Sequence, residues 1–122
     1  MAESINKLIV AALAPFGLPV AENLYRGKKD TYFVYYIADD AVADAGDDTA
    51  QAYVAFMQIH YISPMDEKYT DIRRRIRKAL VDAGFTPPSI TDVSDLTSQV
   101  ESERVRHLVF ETSIENEYDM EV

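Results

Sequence analysis

The sequence predicts an α+β fold: an antiparallel sheet of about four to five strands with two helices packed on it, in the order α-β-β-β-α-β-β. Three observations point there. Apolar residues recur at helical spacing in two stretches, one near the start of the chain and one at Ser63–Phe85. Strand-like segments flank the second stretch on both sides, Ala52–Ile62 before it and Arg104–Ile114 after it. A chain of 122 residues, 48% of them hydrophobic, is the size of one ordinary domain and can bury a real core, so residues 1–122 are expected to form a single domain.

In chain order, Ile5, Leu8, Ile9, Ala12, Leu13 and Phe16 form one apolar stripe, with Glu3 or Ser4 at its start and Gly17 then Pro19 at its end; this predicts a first helix over about Ala2–Phe16. Leu8–Val20 behind Lys7 has the superficial look of a signal-peptide core, but Pro15 and Gly17 interrupt it and Glu3 spoils the basic flank, so a helix of the mature protein is the reading. Val20–Tyr25 reads as a short strand and Arg26–Asp30 as a turn. Thr31–Ile37 is dense in aromatic and β-branched residues and apolar on both faces, as a strand covered on two sides would be. In Ala38–Gln51 the only residue large enough to act as an anchor is Val42; a mobile acidic loop at a lumen or interface is expected there, carrying Asp39, Asp40, Asp44, Asp47 and Asp48. The third strand, Ala52–Ile62, alternates Tyr53, Ala55, Met57, Ile59 and Tyr61 against Val54, Phe56, Gln58, His60 and Ile62, and only the second set admits polar side chains.

Ser63–Phe85 reads as a helix from end to end. Ser63 suits a cap, Pro64 the first helical position, and Asp66 and Glu67 the positive end of the helix dipole, while Gly84 supplies a left-handed stop with Phe85 packing back. Tyr69, Ile72, Ile76, Leu80 and Ala83 fall in one stripe, and Arg73, Arg74, Arg75, Arg77 and Lys78 spread over the rest of the surface, with Asp71 placed to support Arg74 and Arg75. Thr86-Pro87-Pro88 makes a rigid exit, Ser89–Leu96 a weak strand, and Thr97–Glu103 a polar hairpin loop or insertion. Arg104–Ile114 is the final strand, with Leu108, Phe110 and Ile114 on one face and Val105, His107 and Val109 on the other; Glu115–Val122 reads as an acidic tail.

The formal charge is −9, which argues against general nucleic-acid binding. With the five cations of Arg73–Lys78 set aside, the rest of the chain carries −14. Such asymmetry favours electrostatic docking between copies or onto a partner, so Arg73, Arg74, Arg75, Arg77 and Lys78 are expected at a subunit or partner interface. Phosphate gripping ranks second, because no aromatic residue is interleaved with the cations. The chain has no cysteine, which excludes disulfides and thiolate chemistry, and no run of about 18 apolar residues that would span a membrane. The loop aspartates do not match the spacing of a calcium-binding loop. His60 and His107 lie on strands that can be neighbours, yet no nucleophile motif, glycine-rich phosphate loop or HExxH accompanies them. No enzymatic activity, cofactor or metal is expected.

Taken together, the apolar first helix, Tyr25-x-Gly27, the strand Thr31–Tyr36 followed by an acidic stretch, Tyr53–Tyr61 leading into a helix that ends Ala79-Leu80-x-x-Ala83-Gly84-Phe85, and the closing Arg106-His107-Leu108-Val109-Phe110 resemble the small tail-completion and tail-terminator (head–tail joining) proteins of long-tailed bacteriophages. The resemblance spans about Ile5 to Ile114. It implies a virion structural subunit, without catalytic residues, that assembles as a six-fold ring on the head-proximal end of the tail tube. The implied partners are other copies of the chain, the tail tube protein and the head–tail connector or neck proteins, with genomic DNA passing through a central channel without sequence-specific binding. A head-side neck protein of the same virion, and a small nucleic-acid-binding adaptor using the basic helix face, are the alternatives.

Overall fold

The computed structural model describes residues 5–44, 50–64, 69–94 and 105–119. Helix α1 (Ile5–Leu13) runs into a 3-10 turn (Ala14–Phe16) that Gly17 closes by donating its N–H to the Ala14 carbonyl. Then follow strands β1 (Val20–Glu22), β2 (Tyr32–Asp44) and β3 (Ala50–Pro64), helix α2 (Tyr69–Asp82), and strands β4 (Ser89–Asp92) and β5 (Val105–Asp119). The fold is α+β: among the described residues, two α-helices and one five-stranded sheet in the spatial order β1-β2-β3-β5-β4.

The sheet is mixed. Strands β2, β3, β5 and β4 pair antiparallel, but β1 runs parallel to β2, with Val20 opposite Phe33 and Glu22 opposite Tyr35. Bonds from Phe33 N–H to the Pro19 carbonyl (2.8 Å) and from Asn23 N–H to the Tyr35 carbonyl (3.0 Å) bracket this short strand. Asn23 then turns the chain with a positive φ of 67°, which ends β1 earlier than the expected Tyr25.

Both helices cover the same face of the sheet, with the stripes read from the sequence turned to it; the side chain of Tyr69 lies outside those described. Ile5, Ile9 and Leu13 of α1 and Ile76 and Leu80 of α2 meet Phe33 and Tyr35 from β2, Met57, Ile59 and Tyr61 from β3, and Leu108 and Phe110 from β5. Leu8, Phe16, Ile72 and Ala83 pack at the margin. The buried Tyr35 hydroxyl donates to Asn6 Oδ1 at 3.1 Å, joining α1 to the sheet without leaving a polar atom unsatisfied. Helix α2 stops at a left-handed Gly84 (φ 101°): Phe85 N–H bonds the Leu80 carbonyl and Gly84 N–H the Val81 carbonyl, and Phe85 is buried as expected.

Three boundaries differ from the sequence reading. Ser63 and Pro64 do not start the helix; they end β3, opposite Arg106 and Val105, and Ser63 is buried with its hydroxyl donating to the Pro64 carbonyl. Helix α2 is described from Tyr69, and the expected capping carboxylates Asp66 and Glu67 lie outside the described residues. Ala38–Asp44 and Ala50–Gln51 are not loop but strand, paired as an antiparallel ribbon in which Asp39, Asp40 and Asp44 stand opposite Phe56, Ala55 and Ala52, with a bulge between Ile37 and Asp39. Asp47 and Asp48 lie outside the described residues. Likewise Glu115–Asp119 continue β5 against Ala50–Val54 where a tail was expected. Backbone pairing with a neighbour outweighs the poor strand propensity of aspartate and alanine at these positions.

Candidate subunit interface

Helix α2 has one stripe committed to the core, so the cations are displaced to what remains. Arg73 is half-buried, and Arg74, Arg75, Arg77 and Lys78 are exposed. The Arg75 guanidinium lies 5.0 Å from the centroid of the Phe16 ring, a cation–π contact that leans it back over α1. Lys78 pairs with Asp82 one turn on, at 2.7 Å, an ion pair the sequence reading did not include. Arg74 precedes Arg77 and Lys78 by three and four residues, and Val81 follows them by four and three, so the four form one exposed stripe. Val81, at 42% exposed, is an apolar end to a basic line. Between α1 and α2 lies an open groove of about 560 Å³, floored by Leu8, Ala12 and Phe16, with Arg75 and Asp82 on its lining.

The second face is the side of the sheet away from the helices. An antiparallel sheet with one solvated face ordinarily places polar residues there. Here β2 presents Tyr32, Val34 and Tyr36, and β3 presents Phe56, Gln58, His60 and Ile62; Phe56 is 45% exposed and Tyr36 36%. The second cover expected for Thr31–Ile37 is therefore partial: Val34 is buried and Tyr32 half-buried beneath Tyr25, while Tyr36 is exposed. On β5 the outward positions are Val105, His107 and Val109, followed by the exposed Glu111 and Glu115. The face is therefore aromatic and uncharged toward one end and acidic around Phe56 toward the other.

His60 and His107 meet in the middle of this face. His60 Nδ1 and His107 Nε2 are 2.7 Å apart, and the His60 ring also packs edge-on to Tyr36 with centroids 5.1 Å apart. Burial depresses the pKa of both rings; the nearby His107 lowers that of His60 further, while Asp92 partly offsets the effect at His107. Asp92 is itself held: burial pulls its carboxyl up, but hydrogen bonds from the Ser94 hydroxyl and N–H and the Arg106 guanidinium (3.2 Å) outweigh that and keep it low. Ser94 in turn accepts from the His107 backbone N–H at 2.9 Å. The ring pair thus sits beside a hydrogen-bonded network of Ser94, Asp92 and Arg106. Among the described residues no cluster of three or more metal-ligating side chains occurs.

The five predicted cations are thus on one helix, whereas Asp39, Asp40 and Asp44 belong to β2. Sequence reading missed Glu111, Glu115 and Phe56 as a group. The same alternation that put Val105, His107 and Val109 outward, continued along β5, would have found the two glutamates.

No family model and no curated protein matches this sequence. Solved structures do. A chain from the virion of a native gene transfer agent particle is 17% identical, with a TM-score of 0.52 over 94% of this chain and 92% of that one. A second solved structure, of a protein whose name states no function, is 15% identical, with a TM-score of 0.52 over 95% of this chain and 97% of that one. At these identities the likeness is one of fold.

Proposed function

We propose that this chain is a virion structural protein: a subunit that caps the tail tube at its head-proximal end, ends its polymerisation and helps join tail to head, assembled as a six-fold ring around a channel for genomic DNA. The observation that carries the reading is the shared fold, end to end in both chains, with a component of a gene transfer agent virion. Two further observations support it. A ring needs two different complementary surfaces on each subunit, and this chain has a basic helix stripe and an uncovered aromatic and acidic sheet face. Outside Arg73–Lys78 the chain carries −14, which suits a channel wall that lets phosphates pass without gripping them. His60 and His107 belong in this reading as packing residues rather than catalytic ones; His60→Ala with His107→Ala should leave virion function intact if the protein folds.

The test is electron microscopy of lysates from the producing phage or prophage with this gene deleted. Tails of abnormal, uncontrolled length are expected. Filled heads beside detached tails of normal length would move the protein to the joining step on the head side, and intact infectious particles would overturn the structural reading. The exposed Arg74, Arg77 and Lys78 favour one second reading, a nucleic-acid-binding adaptor, for which purified protein must bind DNA with a steep salt dependence.

A further inference from the structure

The ring reading leaves open which surfaces meet, and on that reading the geometry points to one pairing. We propose that the exposed stripe Arg74, Arg77, Lys78 and Val81 of α2 seats on the open sheet face of the next copy around Phe56, between Glu111 and Glu115. Each part of the contact has a counterpart. The helix offers three cations and one apolar side chain on a single line about 10 Å long, at 1.5 Å of rise per residue. The sheet offers an exposed phenylalanine and two exposed glutamates whose Cα atoms are about 13 Å apart along β5, at about 3.3 Å per residue. Phe56 stands opposite Ser113 and Asp39 in the strand register, which places it beside the midpoint between the two glutamates. Val81 and Phe56 are both unusually exposed for their type, at 42% and 45%, and mutual burial removes both from water. The contact is head-to-tail, because the stripe and its receptor lie on opposite sides of the same sheet; repeated, it closes into a ring or runs on as a filament, but it cannot make a two-fold dimer. Each sheet then ends up with helices on both faces, its own on one and its neighbour's on the other.

The charges make the proposal testable by exchange. One variant carries Arg74→Glu with Arg77→Glu; the other carries Glu111→Lys with Glu115→Lys. Each alone is expected to lose the oligomer in native mass spectrometry at low salt while keeping a wild-type circular-dichroism spectrum and melting transition. Mixed in equal amounts, they are expected to regain it in strict alternation, since only unlike neighbours then present opposite charges. A mixed oligomer containing equal numbers of the two masses is the supporting result. A wild-type protein that oligomerises, with variants that do so alone or fail together, overturns this interface and leaves the ring reading standing. A wild-type protein that stays monomeric at all concentrations overturns self-docking in solution altogether. Wild-type assembly by the helix variant combined with loss of DNA binding assigns the stripe to nucleic acid instead and also overturns the proposal.

Discussion

His60 Nδ1 and His107 Nε2 face each other at 2.7 Å across strands β3 and β5, so one imidazole donates its N–H to the lone pair of the other. That arrangement needs the accepting nitrogen to keep its lone pair, so at most one of the two rings can carry a charge within it. Burial already lowers both pKa values, and protonating the second ring removes the acceptor and sets two cations face to face. In the unfolded chain both rings titrate at the ordinary value of 6.5. The folded protein binds protons less readily than the unfolded one, so stability is fully present above about pH 6.5 and falls as the pH drops through the depressed folded values. Urea unfolding at pH 7.5 and at pH 5 should show a lower midpoint in acid. His60→Gln with His107→Gln should flatten the dependence; an unchanged slope would show that these rings do not carry it.

At the end of α2 the backbone rather than the side chain sets the constraint. Gly84 has a φ of 101°, and a methyl there would have room, since its nearest neighbour is Ile114 Cδ1 at 3.8 Å. Gly84→Ala therefore tests conformation alone. The expected cost is about 1–2 kcal/mol, from the strain of a left-handed residue bearing a Cβ. Equilibrium denaturation measures it, and Ala83→Gly nearby should not compensate.

How much of this was legible in the sequence depended on whether the deciding interactions were local. The stripe Ile5, Ile9, Leu13, the alternation from Ala55 to Tyr61 and the stop at Gly84 and Phe85 are properties of single elements, and each appears in the structure where the residues placed it. Ser63-Pro64 followed by two acids has the composition of a helix start, yet Ser63 and Pro64 pair with β5, more than forty residues away, and only that partner makes them strand. The loop expected for Asp39, Asp40 and Asp44 gives way for the same reason: their strand state comes from β3 opposite them. The parallel direction of β1 comes from its register on β2, with Val20 to Glu22 beside Phe33 to Tyr35, and leaves no trace in a three-residue composition. The candidate interface was half visible: the basic helix face was, whereas Phe56, Glu111 and Glu115 converge only once β3 and β5 are in register.

The core should separate sharply from the interface stripe under mutation. Leu80 is fully buried between α2 and the sheet, and its neighbour Val81 points outward. Leu80→Ala leaves a cavity and is expected to cost about 2–5 kcal/mol, while Val81→Ala should stay within about 0.5 kcal/mol for the folded subunit. Thermal unfolding of the two variants, at a concentration where the chain is monomeric, checks the contrast. Comparable losses would mean that Val81 is part of the fold rather than available for a neighbour.

Tyr25-x-Gly27 makes a prediction about coupling rather than size. The Tyr25 ring stacks on Tyr32 with centroids 4.4 Å apart and an interplanar angle of 28°, and its hydroxyl accepts from Lys29 N–H at 3.0 Å. That path carries the phenol directly over Gly27, where an added methyl would collide with the Tyr25 hydroxyl and the ring carbons next to it. Gly27→Ala must therefore expel Tyr25, losing the stack and the hydrogen bond together, at an expected cost of about 1–2 kcal/mol. Once Tyr25 is already alanine there is nothing left to expel, so Gly27→Ala should then be nearly neutral. The double-mutant cycle on unfolding free energy should accordingly be strongly non-additive. Additive losses would mean that the glycine is required by its own backbone conformation and not by the tyrosine folded over it.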